Sequence, residues 1–406
     1  MIADLHIHSR YSRATSKDMI IPKIAEYARL KGIGMVGTGD FTHPEWLKEL
    51  QKYLKFTDGI YEYRGIKFIL SAEVNNIYTK NGKLRRIHNL IFAPDFEHVE
   101  RINKYLGRYG RLEADGRPIL SLDTYEMLKA IIDISPDVFL VPSHIWTPWF
   151  SLFGSNSGFD SIEECFGDLH DKFFAVETGL SSDPAMNWRL SVLDNYTLMS
   201  NSDAHSPARL GREVNVFKED LNYSQLRDVL KNKDREKFLY TIEFYPQEGK
   251  YHFDGHRKCG VRLSPKEARF NNNLCPVCSR TLTIGVLHRV EALSDREAGF
   301  TPENAISYKK LIPLEEVIAE AMGVGRDTVG VKNEYRRLCN IFDNEFEILI
   351  NTSIDELRNT TQEKIAIGIE RARRGDVIIN PGFDGVFGEV RLFEEERAAE
   401  PQLGLF

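Results

Sequence analysis

The first residues able to do chemistry stand at the start of the chain. Asp4-Leu5-His6-Ile7-His8-Ser9 alternates polar and apolar positions, and a strand turns alternate side chains to one face. His6 and His8 therefore point the same way, with Leu5 and Ile7 turned to a core. Two imidazoles on one pleat face can hold one metal ion or two adjacent ones. The competing reading is a chance pair on a half-exposed strand.

More donors recur beside short apolar runs. Asp40 follows residues 35–37, Glu73 ends 68–72, and His88 directly precedes 89–92. His144 follows Val141-Pro142, and Asp203 and His205 follow 199–201. Histidines buried for packing usually occur singly, so a recurrence of His, Asp and Glu at strand ends favours a metal centre over core packing. His43 is a further donor nearby, but a His before Pro in a turn reads equally as structural.

A second donor set has metal spacing of another kind. His256-x2-Cys259 is followed, after 15 residues, by Cys275-x2-Cys278. These two knuckles supply four ligands for tetrahedral zinc, and with all four from protein the site is closed and structural. His252 is an alternative to His256 without that spacing. Five cysteines, three of them in this cluster, favour metal over disulfides in a reducing compartment. Cys165 and Cys339 stand alone and read as buried thiols.

These residues need a frame. Strand candidates at 2–8, 35–37, 67–72, 89–92, 139–142, 174–177 and 197–201 alternate with amphipathic stretches such as 21–31 and 124–134. Such alternation predicts an α/β fold rich in parallel sheet. Seven or so units in residues 1–245 fit a closed or distorted barrel, in which strand C-termini gather the site on one face. Residues 246–290 form the zinc-binding module. They hold eight Lys or Arg against three acids, a phosphate-contact patch that includes Arg257 and Lys258, or simply a solvated surface. Residues 291–393 read as helical, most clearly at 313–322 and at 353–374, with Thr352 as a cap and a break near Thr360-Thr361.

The chain has 406 residues, 42% hydrophobic and 28% charged, with a formal charge of −7. That is an ordinary soluble composition. The charge argues against a simple nucleic-acid coat protein. No secretory signal and no apolar run near the ~20 residues of a membrane span is evident. A cytoplasmic, nucleoid-associated location without membrane contact is expected.

Together, Asp4-Leu5-His6-Ile7-His8-Ser9, Gly37-Thr38-Gly39-Asp40, Ala72-Glu73, Ser143-His144 and Ser202-Asp203-Ala204-His205 resemble the motif set of the polymerase and histidinol phosphatase (PHP) superfamily. The resemblance implies a distorted (β/α)7 barrel holding up to three divalent metals (Zn, Mn or Mg). By it His6, His8, Glu73 and Asp203 hold the first metal. Glu73 bridges to a second on His88 and His144, and Asp40 and His205 take a third. Many members have His where Asp40 stands, and a further His where Tyr11-Ser12-Arg13-Ala14 has none. The third site is therefore expected to be weaker or differently filled.

The order of barrel, zinc module, helical region and tail resembles the endonuclease Q family. Its most specific parts are Gly37-Thr38-Gly39-Asp40-Phe41-Thr42-His43-Pro44, Ser143-His144-Ile145-Trp146 and the knuckle pair. That resemblance implies cleavage of DNA 5′ to deaminated bases (uracil, hypoxanthine, xanthine) and abasic sites. Direct hydrolysis by metal-activated water, depending on Glu73, Asp203 and His144, is expected to leave a 3′-hydroxyl and a 5′-phosphate. A small-molecule phosphoesterase and a non-catalytic DNA-binding scaffold are the alternatives. Reading a lesion requires an extruded base. Trp146, Trp149 and Phe150 are candidates to stack on it or fill its gap, or else they close the barrel mouth. Asn75 and Asn76 are candidates to read its edge, with Asn156 and Asn201 behind them. Residues 394–406 form an acidic tail ending in Gln402-Leu403-Gly404-Leu405-Phe406. An apolar pentad without a core reads as a docking peptide. It resembles the motif that binds the bacterial β sliding clamp, and more loosely the one that binds PCNA.

Overall fold

The computed structural model describes residues 1–394, so the clamp-like pentad Gln402–Phe406 lies outside the described residues. The fold is mixed α/β around a large central sheet. Ile2–Asp4 pairs in parallel with Met35–Gly37, which pairs in parallel with Ile66–Lys80. The next strand, Lys83–Ala93, runs antiparallel to Ile66–Lys80, and Phe139–Pro142 runs antiparallel to it in turn. Ala175–Glu177 and Thr197–Met199 form a parallel pair. Single backbone hydrogen bonds close the circle: Ile145 N–H to the Glu177 carbonyl, and His8 N–H to the Ala204 carbonyl, each 3.0 Å. Seven strands, five of them short, thus form a distorted ring, with helices such as Ile21–Lys31 and Thr124–Ile134 packed outside.

The long hairpin departs from expectation. The sequence pattern gives short strands at 67–72 and 89–92, but the strands run Ile66–Lys80 and Lys83–Ala93. They turn at Asn81-Gly82, where both φ values are positive (53° and 73°), the Asn-Gly signature of a tight hairpin. His88 therefore sits inside a strand, directly opposite Asn75, and not at a parallel strand's end.

The barrel sheet also extends past residue 245. Val214–Phe217 pairs with Ile2–Asp4 and with Phe238–Glu243, and Ser307–Lys310 adds itself in parallel to the last of these. A segment expected to be helical thus supplies an edge strand. The chain also returns to the zinc module after its helices: Ile378–Asn380 and Glu389–Arg391 form a hairpin, and Phe253 N–H bonds the Gly382 carbonyl at 2.9 Å.

Between these lie Leu314–Met322, Val329–Ile341, Ile354–Thr360 and Glu363–Arg374. The break expected near Thr360-Thr361 is present, but the cap is Ser353, not Thr352. Its hydroxyl accepts the Glu356 N–H while the Glu356 carboxylate reaches back to the Ser353 N–H, a capping box. This helical module is tied to the barrel by a buried pair, Lys31 Nζ to Glu345 Oε2 at 2.7 Å. Among the described residues no helix is long and apolar enough to cross a membrane.

Candidate metal centre

Ring closure brings donors to one mouth from three strand ends (His6 and His8, His144, Asp203) and from inside the two long strands (Glu73, His88). His8 Nε2 lies 3.4 Å from Glu73 Oε2 and 3.0 Å from Asp203 Oδ1. His6 Nε2 lies 3.7 Å from Glu73 Oε1 and 3.6 Å from Asp203 Oδ1. On the other side of Glu73, Oε1 meets His88 Nδ1 at 3.0 Å and His144 Nε2 at 3.1 Å. Two groups of converging ligand atoms result, His6-His8-Asp203 and Glu73-His88-His144, each within 4.8 Å. Glu73 stands between them, with Oε1 toward His6, His88 and His144 and Oε2 toward His8.

Three atoms of the first group, His6 Nε2, His8 Nε2 and Asp203 Oδ1, are buried without a hydrogen-bond partner. Buried polar atoms are rarely left so. Imidazole nitrogens and a carboxylate oxygen aimed at one point fit a divalent cation, so the residues present suit the metals the fold implies. The backbone is bent for this purpose. His144 (φ 28°), Asp203 (φ 48°) and Asp40 (φ 50°) all lie in the left-handed region, where non-glycine residues are uncommon and cluster at functional sites. Gly179 makes room for one of them, since a Cβ there would stand 2.3 Å from the His144 Cβ.

A surrounding layer orients the rings. His6 Nδ1 lies 3.0 Å from both oxygens of Glu177, which also accepts the His144 N–H at 2.9 Å. His144 Nδ1 lies 3.1 Å from the Thr147 hydroxyl. Burial opposes charge throughout, but neighbours outweigh it. Glu177, Glu73 and Asp203 raise the His6 imidazole well above its usual value, and Asp40 and Asp203 do so for His8. Against burial, His6 and His8 hold the Asp203 carboxyl far below the carboxylate range. His88 differs: burial brings it down to about 4, so its neutral ring offers a lone pair at neutral pH.

Asp40 and His205 do not make the expected third group. Asp40 is fully buried behind His8: Oδ1 takes His8 Nδ1 at 3.0 Å, and Oδ2 takes the Ser9 N–H and Oγ, each at 2.6 Å, and Ser12 Oγ at 2.9 Å. With no histidine at residues 11–14, serine hydroxyls occupy its acceptors, and it orients His8 as Glu177 orients His6. His205 sits at the mouth, Nδ1 2.8 Å from the Asp203 carbonyl and its ring centroid 4.6 Å from that of His8. His43 stacks on Tyr11 at 4.4 Å and precedes the helix Pro44–Tyr53.

The second donor set also converges: His256, Cys259, Cys275 and Cys278 offer atoms within 4.8 Å of one another. Against its own desolvation, the N–H groups of Cys278 and Val277 bring the Cys275 thiol down to about 7, towards the thiolate that binds zinc. His252 is buried away from the set, stacked on Phe253. Cys165 and Cys339 are buried, and burial pushes each thiol up to about 12.

The candidate base-contacting residues separate into two kinds. Trp146 is core: 1% exposed, its indole N–H bonds Asn187 Oδ1 at 2.8 Å and its ring packs on Phe153. Asn76 is core too, its amide spent on the Leu122 carbonyl and Asn89, as is Asn201, held by Leu5 N–H and Glu177. All three side chains are buried with their polar groups bonded inside the fold. Asn75, two residues on from Glu73 along the same strand face, is buried with Oδ1 unpartnered. Phe150 lies 5.0 Å from the His88 ring and Trp149 lies 5.1 Å from Tyr251. Both line a cavity of about 640 Å³ that reaches the zinc module at Tyr251 and the helical module at Arg326. Asn156, Arg257 and Lys258 are exposed.

Two more residues belong to the site, Glu177 and Arg117. Glu177 ends a strand, the same signal that marked Glu73. Arg117, whose Nη1 lies 3.1 Å from Glu73 Oε2, comes from an irregular loop and carries no periodic signal.

Known proteins bear on this centre in three ways. A family described as the MJ0043 C-terminal domain matches residues 313–376, the helical module. The uncharacterized protein MJ0043 of Methanocaldococcus jannaschii is 37% identical over 253 residues, 60% of this chain but 31% of that protein. The uncharacterized protein YqxK of Bacillus subtilis is 28% identical over 96% of this chain and 98% of its own. Among solved structures, the lesion-specific endonuclease PfuEndoQ of Pyrococcus furiosus aligns with a TM-score of 0.86 and 35% identity, over 97% of this chain and 96% of that one. A complex of endonuclease Q with a 27-mer duplex bearing an abasic lesion at the active site aligns equally well over all of both chains. Sharing 35% of its residues and its whole architecture with those structures, this chain belongs to the endonuclease Q family.

Proposed function

We propose that this chain is a lesion-specific DNA repair endonuclease. It hydrolyses the phosphodiester 5′ to uracil, hypoxanthine, xanthine or an abasic site and leaves a 3′-hydroxyl and a 5′-phosphate. The observation that carries this reading is the pair of donor groups joined by Glu73 at the mouth of the barrel, beside a cavity of about 640 Å³ walled by Trp149 and Phe150. A volume of that order suits a nucleotide-sized ligand. Divalent cations (Zn, Mn or Mg) held by His6, His8, Glu73, Asp203, His88 and His144 would supply an acidified water and positive charge for the scissile phosphate.

The chain's own residues do the rest. Glu177, Asp40 and Thr147 fix the rings of His6, His8 and His144, so each presents its other nitrogen to the centre. Trp149 and Phe150 give an extruded nucleotide an apolar wall, and the unpartnered Asn75 Oδ1 is an acceptor for a base edge. Uracil and hypoxanthine carry a ring N–H that such an acceptor receives and that their parent bases, cytosine and adenine, lack. Arg257, Lys258 and the basic face of the zinc module hold the backbone. The pentad ending Gln402, Leu403, Leu405 and Phe406 docks the enzyme on a DNA sliding clamp, a bacterial β clamp or PCNA.

The test is cleavage of a labelled duplex carrying one deoxyuridine, deoxyinosine or abasic site, with wild type and Asp203→Ala, in each of the three metals. A single nick 5′ to the lesion, absent from the variant, is expected. Phosphate release from small monoesters without any nick would overturn the reading.

A further inference from the structure

Arg117 sits at the mouth of the centre on a loop that is anchored from several sides. Asp115 Oδ1 accepts the Arg117 N–H at 3.1 Å and the Arg13 N–H at 3.3 Å. The Gly116 N–H bonds the Tyr11 carbonyl at 3.0 Å, and its own carbonyl accepts the Thr42 hydroxyl at 3.1 Å. The Pro118 carbonyl takes the Asn75 N–H at 3.0 Å. Gly116 must be glycine for this approach, because a Cβ would meet Asp40 Oδ2 and Ser12 Oγ at 2.3 Å. The backbone that carries Arg117 is thus fixed to the same segments that carry His8, Asp40 and Glu73.

The guanidinium is less committed. Among the described residues its only side-chain partner is Glu73, through Nη1, and its side chain remains 26% exposed. A guanidinium has five N–H donors in a planar fork, so most are open to a ligand arriving from the mouth. Its partner is the carboxylate that joins the two donor groups. A cation one hydrogen bond from that carboxylate, with an open edge, matches the non-bridging oxygens of a phosphate.

We propose that Arg117 is a phosphate-binding residue of this centre: one edge of its guanidinium holds Glu73 and the other takes a non-bridging oxygen of the scissile phosphodiester. This rests on the phosphodiester-hydrolase reading. It adds a positive charge from the protein itself where negative charge grows during reaction. It also adds a geometric requirement, since a lysine keeps the charge but not the fork.

The experiment compares the metal-loaded wild type with Arg117→Ala and Arg117→Lys. Nicking of the lesion duplex and hydrolysis of bis(p-nitrophenyl) phosphate are followed, with inorganic phosphate as a competing probe. Arg117→Ala is expected to lower kcat about 100- to 1,000-fold, the usual loss for one charge-stabilising donor. Its phosphate inhibition constant is expected to rise at least about tenfold, with metal content by elemental analysis unchanged. Arg117→Lys is expected to fall between. An unchanged phosphate constant, or metal lost in step with activity, would overturn the proposal, since Arg117 would then only support Glu73. Calorimetric titration with inorganic phosphate separates the two readings. A wild type that nicks nothing but binds phosphate through Arg117 sinks the endonuclease reading alone; equal binding by wild type and Arg117→Ala sinks this one.

Discussion

Both carboxylate oxygens of Glu177 lie 3.0 Å from Nδ1 of His6. A histidine that donates from one nitrogen keeps the lone pair of the other for a metal, and the acceptor sets both tautomer and ring angle. Asp40 stands to His8 in the same way. Loss of such an orienting carboxylate typically costs 10- to 100-fold, roughly, in metal affinity. Glu177→Gln and Asp40→Asn are each expected to show that loss in competition with a chelator. Retention of metal at wild-type affinity in both would refute the orienting role.

Trp146 and Trp149 are three residues apart and are expected to behave oppositely. Trp146 is sealed in the core with its N–H satisfied by Asn187. Truncating such a ring costs about 3–5 kcal/mol, so Trp146→Ala should unfold at lower denaturant. Trp149 lines the cavity beside Tyr251, and Trp149→Ala should keep stability but lose preference for lesion over intact duplex. Wild-type discrimination in Trp149→Ala would remove it from the lesion contact.

The contrast between these two tryptophans also marks what the sequence carries. Ligand types at short, regular intervals were legible: His6 and His8 by strand period, His256, Cys259, Cys275 and Cys278 by knuckle spacing. Which side chain of a nearby aromatic or amide cluster turns inward was not. By sequence Trp146, Asn76 and Asn201 are candidates for base contact, but each is bonded to a buried partner (Asn187, Leu122 and Glu177). Those partners lie 24 to 46 residues away in sequence, and no local pattern reports them. The antiparallel hairpin was readable from Asn81-Gly82, and Glu177 from its place at a strand end. Ser307–Lys310 and the hairpin near Phe383 were not, because a short exposed edge strand has no hydrophobic alternation to show.

The zinc module should depend on its metal. Its buried apolar cluster amounts to Ala268, Cys275 and Leu282, too little to hold a fold by packing. Ligand binding in such modules is folding free energy. Cys275→Ser is expected to remove one equivalent of zinc and to raise hydrogen exchange across 254–282, leaving exchange in the barrel strands unchanged. Uniform protection in the variant would mean that the hairpin Asp254–His256/Val261–Leu263 and its contact with Phe383 suffice without metal.

The helical module meets the barrel through Lys31 and Glu345, each side chain 5% exposed and 2.7 Å apart. The Tyr335 hydroxyl at 2.7 Å and the Leu314 N–H at 3.0 Å complete the carboxylate's bonds. Burial opposes the charge, yet Lys31 and these donors hold the Glu345 carboxyl below its ordinary 4.5. A carboxyl depressed in the folded state stabilises the fold above its unfolded value. That share of stability is therefore full at neutral pH and is lost as pH falls below 4.5 through the depressed value. Lys31→Met leaves the carboxylate buried and uncompensated, at a cost of about 3–5 kcal/mol. Without the cation, burial governs Glu345 and its carboxyl rises, so the variant gains relative stability on acidification. The melting-temperature gap between wild type and Lys31→Met should therefore be widest near neutral pH and close towards pH ~4. A gap that stays constant across that range would mean the pair is not what couples the module to the barrel.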